Sequence, residues 1–278
     1  MPEGHTLHRL AADLTEAFAG RRVRSSSPQG RFAAGRIDGR RLDVSEAWGK
    51  HLFVGVEDVP WKVHVHLGLY GSLRLMPGGR HDVVGQVRWR LTASARSGPP
   101  VTADLRGPTV CEIVTPPGMD AVLDRLGPDP LRADADPERA FARMRRSRRP
   151  VAALLLDQSV LAGVGNVYRA EVLFRHGVDP LLPGNGLDHA TWQAIWDDLV
   201  ALMRVGVERN RIDTVRPEHE PEAMGRPPRV DDHGGEVYVY RRDGQPCWVC
   251  GTPVSTSDLD GRRLFWCRVC QRPDRVAV

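Results

Sequence analysis

The stretch Thr109-Val110-Cys111-Glu112-Ile113-Val114-Thr115-Pro116-Pro117-Gly118 divides the chain into two kinds of text. On its N-terminal side, from Val23 to Val114, short runs alternate apolar and polar residues, as in Lys62-Val63-His64-Val65-His66-Leu67 and Gln86-Val87-Arg88-Trp89-Arg90-Leu91. Such alternation between Gly, Pro and Asp clusters is the pattern of half-buried strands, which predicts an antiparallel β-sandwich or barrel. Further upstream Leu7, Leu10, Ala11, Leu14, Ala17 and Phe18 follow helical spacing and Gly20 closes the pattern, so one amphipathic helix leads the strands. On the C-terminal side the spacing becomes helical over 137–146, 150–161, 166–174 and 188–205, each bounded by Pro or Gly. The fold class is therefore α+β and multidomain, with domains expected at 1–118, 119–236 and 237–278.

A chain of 278 residues exceeds the usual size of one domain, and 41% AVILMFWYC is ample for real cores. The longest apolar run, 151–156, is too short to span a bilayer, and the first residues lack a basic segment followed by an apolar one. A cytoplasmic, nucleoid-associated protein without a membrane partner is expected. Of 39 basic residues 37 are Arg, leaving only Lys50 and Lys62 as lysines. A pI near 9.0 and the cluster Arg139, Arg143, Arg145, Arg146, Arg148 and Arg149 favour a polyanionic partner, though a solvated helix face looks the same in sequence. Residues 212–236 hold seven acidic residues against three Arg, broken by Pro and Gly, and read as a mobile loop or linker.

Four of the five cysteines fall as Cys247-x2-Cys250, sixteen residues, then Cys267-x2-Cys270. Two thiolate knuckles at this spacing suit one tetrahedral Zn²⁺; two disulfides, the rival reading, are disfavoured in a cytosolic protein. Four thiolates leave no open coordination position, so this zinc is structural and the chemistry lies elsewhere. Between the knuckles, residues 260–266 read as a β-hairpin whose turn carries Arg, and Cys111 reads as a buried strand thiol.

Pro2-Glu3-Gly4, Gly49-Lys50, His66-Leu67-Gly68-Leu69-Tyr70-Gly71, the run from Leu155-Leu156-Asp157-Gln158 through Ala162-Gly163-Val164-Gly165-Asn166-Val167-Tyr168-Arg169-Ala170-Glu171, and the cysteine module occur in this order. Together they resemble the formamidopyrimidine-DNA glycosylase and endonuclease VIII family, bifunctional DNA glycosylase/AP lyases of base excision repair, over nearly the whole chain. The resemblance implies a helix–two-turn–helix element in the helical domain, a zinc-finger hairpin, and a monomer that clamps damaged double-stranded DNA in a basic cleft. It also implies that removal of Met1 frees Pro2 as the nucleophile. An α-amine near pKa ~8 is about a tenth unprotonated at neutral pH, far more than a lysine. Attack on C1′ by this secondary amine gives a cationic iminium, an electron sink for strand cleavage by β,δ-elimination.

Glu3 is implied as the general acid/base; the alternative for Pro2-Glu3 is simple helix capping. The DNA-contacting positions carried over are Lys50 and His66 on phosphate, Leu69 as the apolar wedge beside an extruded nucleotide, and Asn166 with Arg262 gripping phosphates around the lesion. Arg106, in Asp104-Leu105-Arg106-Gly107-Pro108, stands where formamidopyrimidine enzymes carry an Arg-Phe loop, and no aromatic wedge accompanies it. His5-Thr6 replaces the common Pro and Glu. These departures favour oxidised pyrimidines as substrates. The rivals are an 8-oxoguanine/formamidopyrimidine glycosylase and a non-catalytic zinc protein that binds abasic or bent DNA.

Overall fold

The computed structural model describes residues 2–79, 81–93, 98–230 and 235–272; Met1 and positions 231–234 of the expected loop lie outside them. The chain forms two compact units, 1–125 and 126–278.

In the first unit, helix α1 (Gly4–Phe18) precedes eight strands: β1 (Val23–Ser26), β2 (Leu42–Trp48), β3 (His51–Val56), β4 (Lys62–His66), β5 (Ser72–Pro77), β6 (Val87–Ala93), β7 (Val101–Arg106) and β8 (Val110–Val114). They pair antiparallel into two four-stranded sheets, β1-β6-β7-β5 and β2-β3-β4-β8. The alternation read from sequence decides which side chains meet. Leu52, Val54, Val63 and Val65 from one sheet join Trp89, Leu91, Ala103 and Leu105 from the other, with Leu7, Leu10, Leu14 and Phe18 of α1 closing the same core. Each Val, Leu and Phe side chain among them stabilises the fold by roughly 1.5–3 kcal/mol on burial. The buried Trp89 indole donates to Ser25 Oγ at 2.9 Å, so its polar atom is satisfied. Helix α2 (Pro116–Leu123) follows β8, starting at the double proline where the periodicity changes.

The second unit holds α3 (Pro137–Met144), α4 (Val151–Leu156), α5 (Asn166–Arg175), α6 (His189–Arg209), the short α7 (Pro221–Met224) and the hairpin β9 (Ser255–Leu259) with β10 (Arg262–Trp266). Helix α4 stops at Leu156, five residues short of the expected 161. Asp157 leaves the helix with extended ψ, and its carboxylate accepts from the Ser159 N–H and hydroxyl, a local turn that outcompetes another helical bond. One core spans helices and cysteine module alike: Tyr168, Trp192 and Leu199 pack in a cluster with Tyr238, Leu264 and Phe265. Among the described residues no helix is long and apolar enough to cross a membrane.

The segment 212–236 is a correction to the expectation of a mobile linker. Thr214 is fully buried, its N–H donates to the Glu236 carbonyl and its hydroxyl to Glu171, while Arg226 pairs with Glu236 at 2.7 Å. Its described residues are tied into the unit by contacts between positions far apart in sequence.

Candidate active site

Glu3 occupies the N-cap position of α1 with extended backbone, yet its side chain makes no capping hydrogen bond and is completely buried. Capping therefore does not account for the Pro2-Glu3 pair. A carboxylate is thus buried beside the half-buried Pro2 at the start of α1. His5 is buried next to it, hydrogen-bonded through Nε2 to Thr6 Oγ1 at 3.3 Å, and desolvation pushes its pKa down to about 4. The ring is neutral at physiological pH.

The sheet β2-β3-β4-β8 places two further residues. Gly49 and Lys50 form the two-residue turn between Trp48 and His51, with Gly49 at φ +57° as a type II′ hairpin turn requires at that position. Across the register His51 faces His66, so Lys50 and His66 share one sheet end. His66 Nδ1 accepts the Gly68 N–H at 3.1 Å, which leaves its proton on Nε2 when neutral. Burial, then the neighbouring His64 and Lys50, hold its pKa below the ordinary histidine value.

Beyond His66 the chain folds back in the turn Leu67–Gly71, closed by Gly71 N–H to Leu67 O at 3.0 Å. A Cβ at Gly68 would collide with Thr109 Oγ1, and one at Gly71 with the Leu67 carbonyl. Glycines thus permit a turn tight enough to push Leu69 and Tyr70 outward, 40% and 91% exposed. Leu69 is therefore not a buried strand residue. Tyr70 was not singled out from sequence; the signal was present as a second large apolar side chain between paired glycines. Arg106 ends β7 opposite Ser72, with Gly107 next to the Tyr70 backbone, so this arginine belongs to the same end of the sandwich. Its guanidinium bonds Asp104 at 3.0 Å, a fully buried carboxylate that Arg90 also grips at 2.7 and 2.8 Å. Burial would raise the Asp104 pKa, but hydrogen bonds from the two arginines outweigh it and hold it low.

In the second unit Gln158 builds the turn ahead of α5. Its amide donates to Leu156 O and Val164 O, both at 2.9 Å, and accepts the Gly163 N–H at 3.0 Å. Gly163 adopts φ +89°, and Asn166 becomes the first residue of α5. The Asn166 side chain is buried: Nδ2 donates to Arg263 O on β10 at 2.9 Å, and Oδ1 accepts from the buried Arg169. Asn166 therefore fastens the helix start to the hairpin next to Arg262. That hairpin turns at Asp260 and Gly261, both with positive φ, and Gly261 N–H is held by Asp258. Arg262 follows the turn, exposed, and makes no hydrogen bond or ion pair with the described residues.

The four Sγ atoms of Cys247, Cys250, Cys267 and Cys270 lie within 4.8 Å of one another, with Cys247–Cys270 at 3.9 Å and Cys250–Cys267 at 3.4 Å. All four are free thiols, and these separations suit the edges of a tetrahedron with Zn–S bonds of about 2.3 Å. Cys111 sits half-buried in β8, its thiol pushed up to about 12 by desolvation, and takes no part.

Two family models match this chain: the formamidopyrimidine-DNA glycosylase N-terminal domain over residues 1–107 and the formamidopyrimidine-DNA glycosylase H2TH domain over 126–216. Over 277 residues, 98% of this chain and 100% of the relative, it is 52% identical to Endonuclease 8 1 of Mycobacterium tuberculosis. The chain belongs to the formamidopyrimidine-DNA glycosylase and endonuclease VIII family. It is thus a DNA glycosylase/AP lyase of base excision repair. Identity to the probable endonuclease 8 2 of Streptomyces coelicolor is 36%, covering 98% of this chain and 94% of that one. Among solved structures, the MutM (Fpg) protein of Thermus thermophilus aligns with a TM-score of 0.76 at 28% identity, covering 97% and 98% of the two chains. The Lactococcus lactis Fpg in complex with N7-benzyl-Fapy-dG DNA gives 0.78 at 18% identity, covering 98% and 100%, and shares the fold.

Proposed function

We propose that this glycosylase removes oxidised pyrimidines from duplex DNA through a Schiff base on Pro2 and nicks the strand by β,δ-elimination. The carrying observation is the fully buried, non-capping Glu3 beside Pro2. With Met1 removed, the Pro2 nitrogen attacks C1′ while Glu3 protonates the sugar ring oxygen, and the damaged base departs. The iminium then withdraws electrons from C2′–H, and successive loss of the 3′ and 5′ phosphates completes the nick. A secondary amine cannot form a neutral imine, so the Schiff base is a cation, and loss of the C2′ proton gives an enamine whose electrons expel the phosphate.

Lys50 and His66 are read as phosphate contacts, Leu69 and Tyr70 as the side chains that enter the stack when the nucleotide is flipped, and Arg106 as a contact to the opposite strand. Asn166 is read as positioning Arg262 for phosphate, with the helix start of α5 offering backbone N–H groups. One Zn²⁺ on the four cysteines would hold the hairpin rigid and supply no chemistry. We read 1–118 as the catalytic domain, 119–236 as the DNA-gripping helical domain and 237–278 as the zinc module, the protein acting as a monomer in the cytoplasm on the nucleoid.

The preference for pyrimidines is supported by the 52% identity to an endonuclease 8 and by the lack of an aromatic residue next to Arg106. A panel of single-lesion duplexes tests it. Thymine glycol and dihydrouracil are expected to be released fastest; preferential release of 8-oxoguanine opposite cytosine would transfer the protein to the formamidopyrimidine branch.

A further inference from the structure

The sheet face turned away from the sandwich core carries a row of imidazoles that the proposed reaction leaves unused. Leu52, Val54, Val63 and Val65 point into the core, so His51 and Phe53 of β3 and His64 and His66 of β4 stand on the opposite face, joined by Glu112 of β8. Pairing brings His51 against His66, Phe53 against His64, and His64 against Glu112. His64 Nδ1 lies 3.1 Å from Glu112 Oε1, and its Nε2 lies 2.9 Å from His51 Nδ1. Phe53 stacks on His64 at 4.8 Å between centroids, and the His51 ring sits 4.9 Å from His66.

The donor order follows from one end. An ionised carboxylate only accepts, so His64 Nδ1 carries a hydrogen; His64 Nε2 must then accept, and His51 donates from Nδ1. This leaves the basic lone pair of the neutral chain on His51 Nε2, at the end nearest His66 and the Lys50 turn. The charges facing the cluster are Glu112 from β8, the Lys62–Glu46 ion pair of β4 and β2, Lys50 from the β2–β3 turn and Arg125 beyond α2. Burial first, then the neighbouring rings, Arg125 and Lys50, drive His51 down to about 3, and burial also lowers His64 and His66. The free protein therefore keeps three neutral imidazoles next to a cation. A phosphodiester seated on Lys50 cancels that cation's charge, while Glu112 already stands at the far end to balance a positive charge.

We propose that Glu112, His64 and His51 are positioning residues forming a proton-accepting relay behind the Lys50–His66 contact, so that a DNA phosphate bound there draws one proton from solvent into the cluster. The proton enters on an imidazole nitrogen and no covalent bond breaks. Affinity for DNA then rises as pH falls, by up to about tenfold per pH unit where one proton is fully linked. This inference rests on the reading of Lys50 and His66 as phosphate contacts.

Calorimetric titration of the full-length protein with a duplex carrying a non-cleavable abasic analogue, in two buffers of different ionisation enthalpy at each pH, counts the protons exchanged. A fractional uptake that grows as pH is lowered from 7.5 towards 6 is expected for the unmodified protein, with about half or more of it lost in Glu112→Gln and in His64→Gln. The Glu112 side chain is 59% exposed, so Glu112→Gln folds and decides the matter even if the buried His64 variant does not. Uptake unchanged in Glu112→Gln, or none in the unmodified protein, overturns the relay while tight binding leaves the glycosylase reading intact. Failure to prefer the damaged duplex over an undamaged one would overturn both.

Discussion

At the scale of single residues, the proposed chemistry is carried by a few side chains, each open to a separate test. Glu3 is buried where a capping residue would reach the backbone, and in the proposed reaction it supplies the proton that opens the sugar ring. Glu3→Gln should lower base release by roughly 10²–10⁴-fold in single-turnover assays while leaving binding of an abasic-analogue duplex nearly unchanged. An equal loss of binding would point to a structural carboxylate instead. Arg262, exposed and unpaired among the described residues, makes a different prediction. Its replacement by Ala should flatten the dependence of log affinity on log salt by about 0.9, one phosphate contact on duplex DNA, and an unaltered slope would remove it from the interface. The four clustered cysteines were legible from their spacing, and Lys50 and Asn166 were singled out through the family resemblance. What sequence could not supply was the use of Asn166: its amide is spent on Arg263 O and Arg169, a contact across nearly a hundred positions that no local pattern encodes.

Among the elements, the turn 67–71 and the zinc hairpin are devices for presenting side chains. In Gly71→Ala the new methyl would strike the Leu67 carbonyl and open the turn. We expect excision from duplex to fall by about tenfold or more at temperatures where the variant is folded, with a lowered melting temperature because the Leu67 backbone that must move belongs to a core residue; an equally active variant would remove the turn from base extrusion. The β elements were legible because alternation between core and solvent is written locally, and helices α5 and α6 because their spacing is periodic. Helix α4 was read too long since the competing Asp157 turn depends on which local bond wins. The segment 212–236 was misread because its acidic, Pro-broken composition conceals Thr214 under Glu171 and the Arg226–Glu236 pair. The His51–His64–Glu112 chain escaped notice for the same reason: three positions from three strands meet only once the register is known.

For the whole molecule, acid stability should fall in two stages. His5 and His51 are held neutral with pKa values near 4 and 3, below the unfolded value near 6.5, so the unfolded chain binds more protons once pH drops under about 6.5. Stability is therefore full above that pH and declines on acidification, by roughly 2 kcal/mol per histidine at pH 5. In the second unit Asp198 behaves otherwise. Burial would raise it, but hydrogen bonds from His176 and Arg175 bring it down to about 2, so its contribution persists until pH falls below about 4. Melting followed from pH 7.5 to 4.5 should show losses beginning in residues 1–125, and hydrogen exchange resolves which unit opens first. The central claim, however, is covalent. The protein lacking Met1 should become attached to abasic duplex DNA on borohydride reduction, through the Pro2 nitrogen as located by peptide mass, and acylating that nitrogen should abolish both adduct and nick. No adduct, an adduct on Lys50 or Lys62, or cleavage that survives acylation would contradict the account.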